Sequence, residues 1–265
     1  FIRKPFDSVT VRSRVRNIVE LFMYKNQLED KVRIQTENLK RQNRLLEQQA
    51  EKIKASNEKI IDVLGTVVEY RNLESGEHIK RVKGFTRILA EKAAKKYPEY
   101  NLTPERINII VAASALHDIG KITIKDSVLL KPGRLDNDEF EYMKSHTVRG
   151  CDILDQIDGA WDSEYAKVSY AICRHHHERY DGKGYPDGLT GEEIPIEAQL
   201  VSVADVYDAL VSERVYKEAI DKDKAYHMIL MGECGVFSPK LMECFRESKE
   251  EFENLALKYE NARKE

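Results

Sequence analysis

From Val11 to about Tyr70 the chain contains no proline, and no glycine before Gly65. A long helix is the simplest fold for such a stretch, which is rich in Lys, Glu, Gln, Arg and Leu, all good helix formers. Its apolar residues recur at every seventh position: Ile18, then Val32, Leu39, Leu46, Ile53, Ile60 and Val67, with Lys25 as the exception. The companion row is Leu21 and Leu28, then Gln35, Gln42, Gln49 and Ser56, then Val63. A seven-residue repeat held over this length predicts a left-handed coiled coil, most simply a parallel homodimer. The glutamines weaken the middle of the seam while helping to fix register and oligomer state. A single amphipathic helix folded onto a globular part is the competing reading, and the length beyond any domain core disfavours it.

With 265 residues and 42% hydrophobic content the chain can bury a core, in one domain plus the helical extension. A net charge of −3 gives no electrostatic reason to expect a nucleic-acid polymer as partner, though a small nucleotide is not excluded. Cys151, Cys173, Cys234 and Cys244 lie far apart without a Cys-x-x-Cys pair, which reads as reduced thiols in a cytoplasmic protein. There is no apolar run long enough for a membrane span and no signal peptide pattern. The chain opens on Phe1 rather than Met, and so reads as a fragment or processed chain.

From Asn72 onward the pattern is that of packed helices. Ser75 is placed to cap a helix running to about Lys96, with Ile79, Val82, Phe85 and Leu89 on its inner face. Thr103-Pro104 is a helix start signal, and that helix ends in His117-Asp118. Asp136 and Glu139 form a capping-box pair ahead of Phe140, Met143 and His146. A helix carrying Val168 and Ile172 delivers His176, and one from about Ile196 carries Asp205 and Asp208 three apart on one face. Between them, Asp181-Gly182-Lys183-Gly184-Tyr185-Pro186-Asp187-Gly188 reads as a fixed irregular loop. With no alternating strand pattern, the predicted fold class is all-α: a long N-terminal coiled-coil helix followed by a compact helical bundle.

Four blocks of imidazole and carboxylate lie between residues 116 and 208: His117-Asp118, His146, His175-His176-His177-Glu178, and Asp205 with Asp208. Each has a bland alternative. A lone His146 beside Met143 is more often a satisfied core histidine, and His176-His177 would pass for a solvated helix end. Together they form a set that suits first-row divalent metals such as iron, manganese or zinc. An Asp directly after a His can bridge two ions, an arrangement suited to phosphoryl transfer to water. His175 reads as facing solvent or supporting a ligand, and His227 is given no role.

His117-Asp118-Ile119-Gly120-Lys121, His176-His177-Glu178 and Asp181-Gly182-Lys183-Gly184-Tyr185-Pro186, in this order and spacing, resemble an HD-GYP domain, a branch of the HD phosphohydrolase superfamily. The resemblance runs from about Glu74 to Phe245. It implies hydrolysis of the bacterial second messenger cyclic di-GMP to pGpG and on to GMP, by a metal-bridged hydroxide. Two or three divalent ions are implied, iron or manganese ahead of zinc. Their ligands would be His117, Asp118, His146, His176, His177 and Asp205, with Glu74 and His78 added where a third ion binds. Asp118 would bridge, Lys121 would lie at the substrate phosphate, and Tyr185, Arg214 and Lys217 would hold substrate. Asp208 is placed beside them, touching substrate or orienting a ligand or water.

Phe1 to Phe6, with Lys4-Pro5-Phe6 and the helix through Val11, Val15, Val19 and Phe22, resembles the end of a response-regulator receiver domain. That implies two-component signalling, with the phospho-accepting Asp upstream of Phe1 and absent from this chain. The expected division is 1–24 as receiver remnant, 25–71 as coiled-coil linker and 72–265 as catalytic domain. Two other readings stay open: a hydrolase of another cyclic dinucleotide, and a dimeric signalling module with weak catalysis.

Overall fold

The structure, a computed structural model, describes residues 7–72, 76–156, 163–213 and 219–262. The chain divides into two compact units, Phe1–Asn57 and Glu58–Glu265. Helix α1 runs from Ser8–Arg71. In the first unit it is exposed apart from the half-buried Val11, and the apolar rows stay uncovered, with Leu21 at 69% and Leu46 at 62% exposure. The proposed receiver remnant at Phe1 to Phe6 lies outside the described residues.

The second unit takes in the last turns of α1, where Ile61 and Val68 are buried against Ile79, Ala115 and Leu116. It continues with α2 (Glu77–Lys96), α3 (Pro104–Ala113), the four-residue α4 (Asp126–Leu129) and α5 (Asn137–Lys144). Then follow α6 (His146–Asp155), α7 (Ser163–His175), α8 (Ile196–Val211), α9 (Lys222–Leu230), α10 (Pro239–Glu247) and α11 (Lys249–Ala262). The described residues contain no strand, only an isolated bridge between Asp181 and Thr190, so the fold is all-α. A second apolar cluster joins α2, α8, α10 and α11. At its centre Phe85, Tyr207, Phe245 and Phe252 are fully buried, with Phe85 stacked on Phe252 at 4.9 Å and Tyr207 edge-on to both. Each such ring contributes about 1.5–3 kcal/mol by leaving water. This cluster makes a rigid floor under α2 and α8, the helices that carry His78 and Asp205.

Local signals explain most helix starts. Thr103 Oγ1 accepts from Arg106 N at 3.2 Å, and Pro104 occupies the first turn where no amide hydrogen is needed. Asp136 and Glu139 close the reciprocal capping box, with both bonds at 2.9 Å. Two expectations need correction. The helix from Pro104 stops at Ala113, and a tighter 3-10 turn over Ser114–Leu116 then swings His117 inward. His146 does not share a helix with Phe140 and Met143. The chain breaks at Ser145, whose hydroxyl donates to Tyr142 O at 2.6 Å, and His146 opens α6.

The turn Ile119–Thr123 presses onto the start of α6 at Gly120, where a Cβ would lie 1.8 Å from the carbonyl oxygen of His146. Only glycine allows that approach, and it carries Asp118 to His146. From the other side Arg71, the last residue of α1, donates to the carbonyls of Lys121, Ile122 and Ile124 at 3.0, 2.5 and 2.7 Å. It also pairs with Asp126 at 2.7 Å.

Candidate metal centre

Seven side chains from five places in the sequence converge. Asp118, His146, His176 and His177 form one group, and His78, His117 and Asp205 a second, with the donor atoms in each group within 4.8 Å of one another. Asp118 faces both. Its Oδ1 lies 3.2 Å from His146 Nε2 and 3.7 Å from His176 Nε2, while Oδ2 lies 3.2 Å from His117 Nε2. Asp205 Oδ1 sits 3.7 Å from His78 Nε2 and 3.8 Å from His117 Nε2.

The imidazoles are aimed by their other nitrogens. Nδ1 of His117 is 2.8 Å from Ser114 O, Nδ1 of His146 is 2.8 Å from Met143 O, and Nδ1 of His176 is 3.1 Å from both Ile172 O and Cys173 O. A carbonyl only accepts, so each Nδ1 must carry the hydrogen, and in the neutral ring each Nε2 is left as a lone pair. The Nε2 atoms of His146 and His176 then face each other at 3.5 Å, lone pair to lone pair. His117 Nε2 and Asp118 Oδ1 are buried without a hydrogen bond. Lone pairs and carboxylate oxygens turned on a common centre repel unless a cation lies among them. The donor set therefore fits divalent metal.

The electrostatics agree. Burial pushes His176 and His177 down, keeping them neutral as ligands must be. Burial also opposes charge on His117, but the carboxylates of Asp118, Asp205 and Glu69 outweigh it and raise the ring to about 10. That excess of negative charge around His117 is what a bound cation would neutralise. Burial disfavours charge on Asp118, yet the Lys121 ammonium and His117 hold its carboxyl well below the usual range.

Lys121 Nζ donates to Asp118 Oδ2 at 2.6 Å, at the edge of the first group. Tyr185 is half-buried with its ring 4.8 Å from that of His177, and burial raises its phenol further above the physiological range. Asp208, read as touching substrate or orienting a ligand, stands behind the site. It is fully buried, with Oδ2 2.7 Å from His78 Nδ1 and its two oxygens taking Arg81 at 2.5 and 3.0 Å. It aims His78 and has no free face for substrate. Glu74, Arg214 and Lys217 lie outside the described residues. His227 is exposed, beside Asp223 at 3.6 Å.

Three residues escaped the sequence reading. Arg81 was given no role, although it lies three residues after His78 and so on the same face. Glu69, inside the heptad pattern, is buried, and its charge raises both His78 and His117. Glu178 was read only as part of a motif. Its carboxylate accepts from the amides of Asp187 and Gly188 at 2.7 and 3.1 Å and of Leu189 at 3.1 Å. Gly184 passes so close to Glu178 that a Cβ would lie 2.4 Å from its Cα.

His175, Glu178 and Asp187 also cluster, but Glu178 is committed to these amides and Asp187 to Arg174 at 2.7 Å through both oxygens. This third group is a loop brace. Glu178→Gln removes the charge from three hydrogen bonds, so amide exchange at Asp187, Gly188 and Leu189 should rise about ten-fold or more. Exchange mass spectrometry over 184–190 checks this; unchanged protection would mean that the loop holds itself.

A family model described as HD domain matches residues 24–233. A cyclic di-GMP phosphodiesterase of Vibrio cholerae is 39% identical over 220 residues, covering 82% of this chain and 44% of its own length. The cyclic di-GMP phosphodiesterase response regulator RpfG of Xanthomonas campestris pv. campestris is 34% identical over 266 residues, covering 99% of this chain and 65% of its own. The chain thus spans about half to two thirds of the length of these relatives. Among solved structures, a cyclic GMP-AMP specific phosphodiesterase of Vibrio cholerae superposes with a TM-score of 0.52 at 17% identity, over 73% of this chain and 48% of that one, a likeness of fold.

Proposed function

Because this chain belongs to the HD-domain family of phosphohydrolases, we propose that it is a metal-dependent phosphodiesterase of the HD-GYP branch hydrolysing cyclic di-GMP to pGpG or GMP. The observation that carries the reading is the pair of donor groups meeting at Asp118, whose two oxygens face one group each. The relatives named above, called cyclic di-GMP phosphodiesterases, support the substrate. When bound, divalent metal supplies a water-derived nucleophile at neutral pH and neutralises phosphate charge.

The protein's own groups do the rest. His78, His117, His146, His176, His177, Asp118 and Asp205 would hold the ions, with Glu74 joining them if a third is present. Lys121 is positioned to share its ammonium between Asp118 and a non-bridging phosphate oxygen, stabilising charge that grows as the diester is attacked. Tyr185 borders the reacting phosphate, and Arg214 and Lys217 are assigned the second phosphate as charge-assisted partners. Asp208 and Arg81 keep His78 in register. The nitrogen-and-oxygen donor set suits iron, manganese or zinc, and the HD-GYP resemblance places iron or manganese ahead of zinc. The test is chromatography of linear products from cyclic di-GMP, with protein loaded anaerobically with Fe(II), Mn(II) or Zn(II). No linear product with any metal sinks the assignment, and faster turnover of another cyclic dinucleotide moves the substrate.

The exposed heptad rows of α1 support a parallel homodimer through the coiled coil. The response-regulator relative named above supports a receiver domain ahead of it and a cytoplasmic place for the protein. Sedimentation equilibrium is expected to give a dimer at micromolar concentration, and changing Gln35, Gln42 and Gln49 together to Leu should tighten it. A monomer at that concentration would remove the dimer.

A further inference from the structure

Beside the metal centre, one group of side chains has no part in the reading so far. Phe140 on α5 is 46% exposed, and its ring stands edge-to-face with Tyr185, centroids 6.4 Å apart at 80°. Tyr185 leans in turn on His177, so the rings step outward from the metal ligands. Lys144, one turn along α5, holds its ammonium 5.0 Å from the Phe140 ring and 5.5 Å from the Tyr185 ring.

A single exposed aromatic side chain is ordinary. This one is held in place, because the capping box fixes the start of α5 and Tyr142 ties its end to Thr123 O at 3.3 Å. Lys144 also pairs with Glu141 at 2.6 Å, but Glu141 is 68% exposed, and such surface pairs hold their partners weakly. Phe140 is partly exposed, and the donor-only ammonium of Lys144 lies over its ring. A purine stacking on the exposed part of the ring would meet that ammonium with the acceptor atoms of its edge.

We propose that Phe140 and Lys144, together with Tyr185, form a shelf that binds one nucleobase of the cyclic dinucleotide and favours guanine. The proposal rests on the activity proposed above. Guanine presents O6 and N7, both acceptors, to Lys144; adenine presents an amino donor in place of O6, which an ammonium cannot use.

Steady-state kinetics on cyclic di-GMP and cyclic di-AMP test it. Phe140→Ala should raise KM for cyclic di-GMP on the order of ten-fold, with kcat and metal content nearly unchanged. Phe140→Trp, which keeps a stacking face, should stay within about two-fold of the wild type. Lys144→Ala should narrow the preference for cyclic di-GMP over cyclic di-AMP by about five-fold or more. Turnover by the wild type with an unaltered KM in Phe140→Ala would overturn the shelf alone. A preference unmoved by Lys144→Ala would overturn its guanine selectivity. Neither turnover nor binding of any cyclic dinucleotide by the wild type would overturn the activity, and the shelf with it.

Discussion

Asp118→Ala is expected to lower kcat for phosphodiester hydrolysis by about a thousand-fold or more, the equivalent of several kilocalories of lost transition-state stabilisation. Bound metal should fall with it, while helix content stays the same. The warrant is positional. Asp118 places one oxygen 3.2 Å from His146 and the other 3.2 Å from His117, so it spans both donor groups, and it also holds Lys121. Removing it leaves two unconnected donor groups and frees the Lys121 ammonium from its carboxylate partner. Asp118→Asn separates the two effects, since it keeps the shape and loses the charge. Full activity of Asp118→Ala in added metal would end the shared-site account.

The largest effect on stability is expected from Asp208→Ala, a loss of about 3 kcal/mol or more at neutral pH, because buried Arg81 is left with only the more distant and partly exposed Glu77 at 3.8 Å. Arg81 and Asp208 are both buried, and His78 shares the same carboxylate. Burial tends to raise the Asp208 carboxyl, but His78 and Arg81 overcome this and hold it at about 2. Its folded value therefore lies below the unfolded value of about 4. The stabilisation is present above the unfolded value and drains away as pH falls through the folded one. Denaturant melts of wild type and Asp208→Asn should accordingly converge between about pH 4 and pH 2. A variant as stable as the wild type at pH 7 would show that Arg81 finds water or another partner.

How much of this was legible depended on whether a signal was local. The capping box at Asp136 and Glu139 and the Thr103-Pro104 start are written in neighbouring residues, and the structure has both. Six of the seven donors that meet stand out as imidazole and carboxylate blocks in the sequence, and His78 enters only through the family resemblance. What escaped needed partners distant in sequence. Arg81 has a local partner in Glu77 at 3.8 Å, but its burial is matched by Asp208, 127 residues away. Glu69 sits in a heptad frame that describes a solvated helix, and only the packing of Ile61 and Val68 turns that stretch inward. The break at Ser145 involves neither proline nor glycine. A hydroxyl turned back on Tyr142 ends α5, and nothing in composition marks that choice.

The grip of Arg71 has a mechanical consequence. A guanidinium is flat and its donors are fixed in a fork, so bonds to three carbonyls and a carboxylate define an orientation as well as a distance. The carbonyls belong to Lys121 and its neighbours, on the turn directly after Asp118. The end of α1 and the backbone of Lys121 are therefore meshed like two gear teeth. A rotation of this helix end would act directly on the backbone beside Asp118, through bonds that set its angle.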